Sequence, residues 1–149
     1  MTATTTDRLF GQEEASATLP LVRQVVADIQ RDNKALEIVL PRLKDARIRS
    51  REPGAVVPEL EQLRHEVAEI TTRFEAYLDE LARVGCVYRG TTGNVDFRSE
   101  EGGRPVFLCW APDEPTVESS HPIGLDCRFR SPVETHVVLP VGGPCPDQR

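Results

Sequence analysis

The sequence has few aromatic residues and no excess of basic charge. Among 149 residues there are one Trp, two Tyr and five Phe, and 18 Lys and Arg stand against 24 Asp and Glu, for a formal net charge of −6. A nucleic-acid-binding domain needs a basic face to neutralise phosphates, and binding to anionic lipid has the same requirement. We therefore expect neither a nucleic-acid partner nor a membrane partner.

Long apolar runs are also missing. No stretch approaches the roughly 20 apolar residues that a membrane helix needs, and residues 1–14 lack the basic and apolar regions of a secretion signal. The length fits one domain with a sizeable core. We expect a soluble, cytoplasmic, single-domain protein.

Cysteine is scarce, and no two cysteines form a Cys-x-x-Cys pair. This spacing excludes the usual zinc ribbon and the thioredoxin-like motif. In a reducing cytoplasm such cysteines are expected to be free thiols. The four cysteines are Cys86, Cys109, Cys127 and Cys145.

The N-terminal half carries two heptad patterns. The first begins near Pro20, has Asp32 at one of its d positions and contains Pro41, which predicts a kink. Residues 50–58 form the connecting loop, and Gly85 ends the second pattern. The apolar positions assigned to helix packing are Val22, Ile29, Leu36, Leu43, Leu63, Val67, Ile70, Phe74 and Tyr77.

The C-terminal half changes to short strand-like segments between turn residues. The fold class predicted is α+β: a long antiparallel two-helix hairpin, coiled-coil-like, followed by a small, mostly antiparallel β-sheet. The predicted strands are 86–89, 95–98, 106–110, 116–118 and 135–139. The predicted organisation is a disordered terminus at 1–8, the hairpin at 9–85, a β-rich unit of the same domain at 86–141 and a flexible tail at 142–149.

Several short motifs follow one another in a characteristic order. They are Leu9-Phe10, Leu19-Pro20, Val95-Asp96-Phe97, the run from Gly103 to Trp110, and His121. In this order they resemble the bacterial family catalogued as domain of unknown function 2203. The resemblance spans residues 9–133 and implies a fold rather than a reaction. This chain departs from the family pattern at Ser120, where an aromatic residue is usual, and at residues 127–130, which replace a Gly-rich end.

A metal site is the first candidate for chemistry. Thiolate and imidazole ligands suit zinc in a tetrahedral site, and Cys109, His121 and Cys127 supply them. An oxygen ligand would come from Asp96, with Glu118 and Asp126 as alternatives. The spacing matches no known ligand signature. The competing interpretation is that Cys109 is a small buried strand residue and that His121 orders a loop.

Nucleophilic catalysis is the second candidate. Cys109 or Cys127 would be the nucleophile, with His121 or His136 as the base. Such a pair requires proximity that a sequence does not reveal, and no local catalytic signature is present. Isolated cysteines and histidines are more often structural, so this hypothesis ranks below the metal site.

A polar pocket for a small anionic molecule is the third candidate. Arginine side chains match the geometry of carboxylate and phosphate groups. The alternative is a solvated edge with ordinary surface ion pairs. The residues proposed for this pocket, in addition to Asp96, are Trp110, Arg104, Glu114, Arg128 and Arg130.

The heptad stripes carry the main functional expectation. Two helices packed only on each other would leave apolar surface in water, so the stripes need a partner, either the β half or a second copy. We expect a homodimer, with Asp32 fixing the register or pairing across the interface. The protein is then a non-enzymatic interaction or assembly module. The alternative is a zinc-binding or anion-binding protein, an enzyme among the options, with its site around Cys109, Trp110 and His121.

Overall fold

The fold is α+β, with helices and a five-stranded antiparallel sheet. The computed structural model describes residues 8–90, 92–125 and 127–133. In chain order the elements are α1 (Gln12–Ala17), α2 (Leu19–Arg49), α3 (Glu59–Val84), β1 (Cys86–Arg89), β2 (Asn94–Glu101), β3 (Arg104–Trp110), β4 (Ser119–Pro122), a 3₁₀ turn (Cys127–Phe129) and β5 (Ser131–Pro132).

The two long helices begin and end where the sequence carries the matching signals. Pro20 lies in the first turn of α2, where a missing backbone donor has no consequence. The helix then continues through Pro41 to Arg49, so this proline does not divide it. Gly85 ends α3 in the left-handed conformation, with a φ of 105°, which glycine adopts without a steric penalty.

Contacts between α2 and α3 are polar as well as apolar. Arg73 donates two hydrogen bonds to the buried carboxylate of Asp32, at 2.9 and 3.1 Å. Near the connecting loop, Arg49 pairs with Glu59. The partner of Asp32 therefore belongs to the same chain, and no second copy is needed to satisfy this buried charge. An apolar cluster between these two ion pairs contains Val39, Leu43, Ala46 and Leu63.

The sheet has the strand order β1-β2-β3-β4-β5, and every neighbouring pair is antiparallel. Val95 lies opposite Trp110, and Phe97 lies opposite Leu108. Because side chains alternate between the two faces of a strand, these four residues share one face. They join Val22, Ile29 and Leu81 of the long helices in the main apolar core.

The residues assigned to helix packing are covered largely within this chain. Val22 and Ile29 are buried in the main core, with Phe74 and Tyr77 packed against it. Leu43 and Leu63 belong to the second cluster, with Val67 packed against them. Ile70 is buried and Leu36 is half-buried. The apolar stripes of the helices therefore pack in part against the β half. The sequence had left two partners open, the β half and a second copy of the chain.

One predicted strand is corrected by the structure, and several other predictions concern residues outside the described ranges. The fourth strand covers Ser119–Pro122, immediately after the segment 116–118 that was predicted. The terminus at 1–7, Asp126, His136, Cys145, the strand at 135–139 and the tail at 142–149 lie outside the described residues. Across the described ranges, none of the helices combines the length and apolar character required to traverse a bilayer.

Candidate functional site

The second face of the sheet carries the polar residues. Asp96 on β2 lies directly opposite Cys109 on β3, and Phe107 lies opposite His121 on β4. Since Phe107 and Cys109 are two residues apart, their side chains point to the same side, and His121 joins them there. Strand alternation therefore brings Asp96, Cys109 and His121 to one face, opposite the side chains of the apolar core.

These three side chains form a compact buried cluster. One carboxylate oxygen of Asp96, Sγ of Cys109 and one ring nitrogen of His121 all lie within 4.8 Å of one another. The exposed fractions of the residues are 1%, 0% and 2%, respectively. The cluster is shielded from water, so its polar atoms depend on one another and on their immediate neighbours.

Hydrogen bonds hold the imidazole of His121 at both nitrogens. Nε2 lies 3.1 Å from Oδ2 of Asp96, and Nδ1 lies 3.1 Å from the backbone oxygen of Pro122. Both partners are acceptors, which favours the imidazolium form with a proton on each nitrogen. The second carboxylate oxygen of Asp96, Oδ1, is buried and has no hydrogen-bond partner among the described residues.

Arg89 and Asn94 are among the described polar side chains that contact the cluster. Nε of Arg89 donates to Oδ2 of Asp96 at 2.8 Å, and the guanidinium lies 5.1 Å from the centroid of the Phe107 ring. The Asn94 amide donates to Sγ of Cys109 at 3.2 Å. Arg89 thus balances the Asp96 charge, and Asn94 fixes the thiol.

The pKa values of the cluster follow from burial and from these contacts. For Asp96, burial favours the neutral form, but the hydrogen bonds and charges of His121 and Arg89 outweigh it, so the pKa is lowered. For His121, burial again opposes charge, yet Asp96 and the Pro122 carbonyl raise the pKa. Burial raises the pKa of the Cys109 thiol to about 12. These pKa directions favour a carboxylate at Asp96, a protonated imidazole at His121 and a neutral thiol at Cys109.

This arrangement disfavours nucleophilic catalysis by Cys109, while its donor types remain those of a candidate metal site. A thiol with a pKa of about 12 is a weak nucleophile near neutral pH. The ring nitrogens of His121 bond to Asp96 and to Pro122, so the described hydrogen bonds provide no base for Cys109. A set of oxygen, sulfur and nitrogen donors, by contrast, is the set that zinc accepts.

Cys127 lies beside the cluster. Its Sγ is 3.3 Å from Oγ1 of Thr92, and it lies in the 3₁₀ turn after β4. It is half-buried and is not a member of the group of donor atoms formed by the other three residues. The sequence analysis placed Cys127 among the candidate metal ligands; in the structure it lies outside the group formed by the other three.

The residues proposed for an anion pocket divide into two sets. Arg130 pairs with Glu114, whose backbone oxygen accepts a hydrogen bond from the Trp110 indole at 2.9 Å. Trp110 itself is fully buried on the core face of the sheet. Arg104 is exposed at the opposite end of β3, and Arg128 is exposed in the 3₁₀ turn over Phe129. The five side chains therefore do not converge on one pocket.

Arg89 and Asn94 were not identified as site residues from the sequence. They pair across the β1–β2 hairpin, two residues before Asp96, and so share its face. The signal was present, because extending strand alternation back from Asp96 through the hairpin reaches both residues. It required the register of the hairpin, which the Gly-containing turn alone did not specify.

Comparison with known proteins identifies a family and no closer relative. The chain belongs to the family described as "Uncharacterized conserved protein (DUF2203)", whose model matches residues 8–133. The match contains the whole cluster around Asp96. No curated protein and no solved structure matches the chain.

Proposed function

We propose that this protein binds one divalent transition-metal ion, with zinc the best fit, through Asp96, Cys109 and His121. The observation that carries the proposal is the mutual approach of three different donor atoms within 4.8 Å in a buried site. The unpartnered Oδ1 of Asp96 supports it, because a buried carboxylate oxygen without a partner has a substantial free-energy cost that a cation would relieve.

The donor spacing requires only a small contraction on binding. Zinc bonds of about 2.0 to 2.3 Å in a tetrahedral arrangement separate the donors by roughly 3.3 to 3.8 Å. The donor atoms of the cluster all lie within 4.8 Å of one another. Side-chain rotations that move these atoms by about 1 Å would therefore suffice. Binding would release protons from Cys109 and His121, because a metal ligates the thiolate and the neutral imidazole nitrogen.

The competing explanation is a metal-free buried hydrogen-bond network. In that case Asp96, His121 and Arg89 would act only as a structural ion cluster, as buried charges often do when paired. The network would satisfy Oδ2 of Asp96 twice and leave Oδ1 unsatisfied. A metal ion bound at Oδ1 would give that oxygen a partner while Oδ2 keeps the two it has, and this difference favours the metal.

The test is metal content and affinity of the purified, tag-free protein. After chelation and reloading, we expect close to one zinc per chain by elemental analysis. Cys109→Ser and His121→Ala should each weaken zinc binding in calorimetry by at least about a hundred-fold, since each removes a direct ligand. His65→Ala is the matched control, because His65 is exposed on α3, where it pairs with Glu69. Zinc far below one per chain in the folded wild type would sink the proposal.

A second candidate function is assembly through the helices. We propose that α2 and α3 form a long, coiled-coil-like antiparallel hairpin, in one domain with the sheet, and that two copies associate through its outer face. The supporting observation is a set of large apolar side chains on the helices that remain in contact with water: Ile38 at 65% exposure, Ile48 at 54% and Leu78 at 46%. Molar mass from light scattering tests it. Twice the chain mass in the wild type and a monomer for Ile38→Lys is the supporting result, and a wild-type monomer at high concentration contradicts it.

A further inference from the structure

The proposed metal centre has three protein ligands, which leaves one tetrahedral position for another group. Structural zinc sites use four protein ligands, whereas sites with three keep a position for water or for a bound molecule. Among the described residues, no fourth donor belongs to the cluster, and Cys127 is directed to Thr92. The inference below rests on the metal-binding function proposed above and concerns what occupies this position.

The charges around the site favour an anion. Zinc, the Cys109 thiolate, the Asp96 carboxylate and a neutral His121 sum to zero. Arg130 is already matched by Glu114. Among the described residues that contact the cluster, Arg89 would then keep a positive charge that is only partly compensated, because its carboxylate partner would be shared with the metal.

Arg89 is also placed to reach a ligand. Its Nε is fixed by Asp96, and its guanidinium lies over the Phe107 ring, so the orientation of the fork is set. The side chain is nonetheless 41% exposed. The Arg89 side chain thus extends from the buried cluster to solvent, and a ligand held by its guanidinium would have to approach the ion along it.

We infer that the open position binds an oxyanion of a small molecule, a carboxylate or a phosphate, with one oxygen on the metal and a second on the Arg89 guanidinium. The remaining N–H groups of the oriented guanidinium would donate to that second oxygen from a fixed direction, which the flexible ammonium of lysine would not. Arg89 is the residue that selects an anion over water in this arrangement. No bond is made or broken in the binding step.

The test uses cobalt in place of zinc, because the visible absorption of bound cobalt reports its ligands. The cobalt-loaded protein is titrated separately with acetate and with inorganic phosphate at constant ionic strength. We expect a saturable spectral change in the wild type, and the stronger of the two anions identifies the carboxylate or phosphate class. Arg89→Gln and Arg89→Lys should bind the anion at least about ten-fold more weakly. Arg104→Gln, which removes the same charge at the far end of the sheet, should match the wild type.

The outcomes separate this inference from the function on which it rests. No cobalt binding by the wild type overturns both. Cobalt binding with no response to either anion overturns the anion site alone. A charge-transfer band for two thiolates that falls to one in Cys127→Ser also overturns it, because Cys127 would then fill the fourth position. If Arg104→Gln and Arg89→Gln weaken anion binding equally, the effect comes from net charge alone, and the specific role of Arg89 is rejected. If Arg89→Gln no longer binds the metal, Arg89→Lys, which keeps the positive charge, tests the role of Arg89 in anion binding instead.

Discussion

Asp96 and Cys109 are cross-strand partners on β2 and β3, and the residues on either side of each are buried in the apolar core. Val95 and Phe97 flank Asp96, while Leu108 and Trp110 flank Cys109. The same two strands therefore supply the stability of the fold and the geometry of the site. Alternation keeps the two roles on opposite faces.

The core face should dominate stability. Phe97 is fully buried and packs edge-on against Phe10, with ring centroids 5.2 Å apart. Phe97→Ala is expected to lower the free energy of unfolding by about 3 to 5 kcal/mol, through lost burial and a cavity. Urea unfolding followed by circular dichroism measures it. Val87→Ala on the opposite face is the control, since Val87 is 40% exposed and should change stability by less than about 1 kcal/mol. Equal losses in the two variants would contradict this division of the sheet.

The ion pair between Asp32 and Arg73 should make stability depend on pH in the acid range. The hydrogen bonds and charge of Arg73 hold the pKa of Asp32 below its usual value of 3.8. A folded-state pKa below the unfolded one stabilises the protein fully above the unfolded value, and the contribution is lost as pH falls through the folded value. Asp32→Asn should therefore be less stable near neutral pH, by about 1 kcal/mol because Arg73 is partly exposed, and the difference should shrink below 3.8.

The measurement is thermal unfolding of the wild type, Asp32→Asn and the control Asp28→Asn from neutral pH to below 3.8. Asp28 pairs with the exposed Arg31 on the same helix, so its variant removes one carboxylate without breaking the α2–α3 contact. A difference between wild type and Asp32→Asn that stays constant into strong acid would mean that the ion pair is not its cause.

Cysteine reactivity should follow burial. Burial raises the pKa of both Cys86 and Cys109 to about 12, so each is a protonated and shielded thiol near neutral pH. In metal-free protein with Cys145→Ser, alkylation by iodoacetamide should modify the half-buried Cys127 first. Cys86 and Cys109 should react slower, on the order of a hundred-fold. Peptide mass spectrometry over time reads this out. Early labelling of Cys109 in folded protein would show that the sheet face is open to reagents.

Gly85 should tolerate no side chain. Its φ is 105°, and an added Cβ would lie 3.1 Å from the Phe10 ring. Gly85→Ala should therefore lower stability by about 2 to 3 kcal/mol through backbone strain and displacement of Phe10. Gly54→Ala separates the two causes, because Gly54 also has a positive φ, 75°, but nothing within 4 Å of the added Cβ. A loss for Gly85→Ala no greater than that for Gly54→Ala would rule out the contact with Phe10.

The helices were predictable because their signals are local. Apolar spacing, Pro20 near the start and Gly85 at the end each act within a few residues of the chain. The effect of Pro41 was not predictable, since the surrounding helix and its packing decide whether a proline interrupts it. The partner of Asp32 required knowing which residue of α3 lies opposite, forty-one positions away.

The residue types of the candidate site were predictable from the sequence, but the full set of residues that form it was not. Asp96, Cys109 and His121 were selected because their side chains ligate metals, and strand pairing brings them together. Trp110 was grouped with Cys109 because it follows it in sequence, yet consecutive strand residues point to opposite faces. Arg89 was missed because strand alternation reaches it only once the register of the β1–β2 hairpin is known.

The alternation along β2 and β3 has a consequence for how such a protein changes over generations. Substitutions on the face that carries Asp96 would alter the polar cluster without disturbing the packed interior, so the chemistry of this face is free to change while the fold persists. Insertion or deletion of a single residue within either strand would disturb both faces of the sheet at once. It would turn Asp96 or Cys109 toward the helices and a core side chain toward solvent, so length in these strands is constrained more tightly than identity.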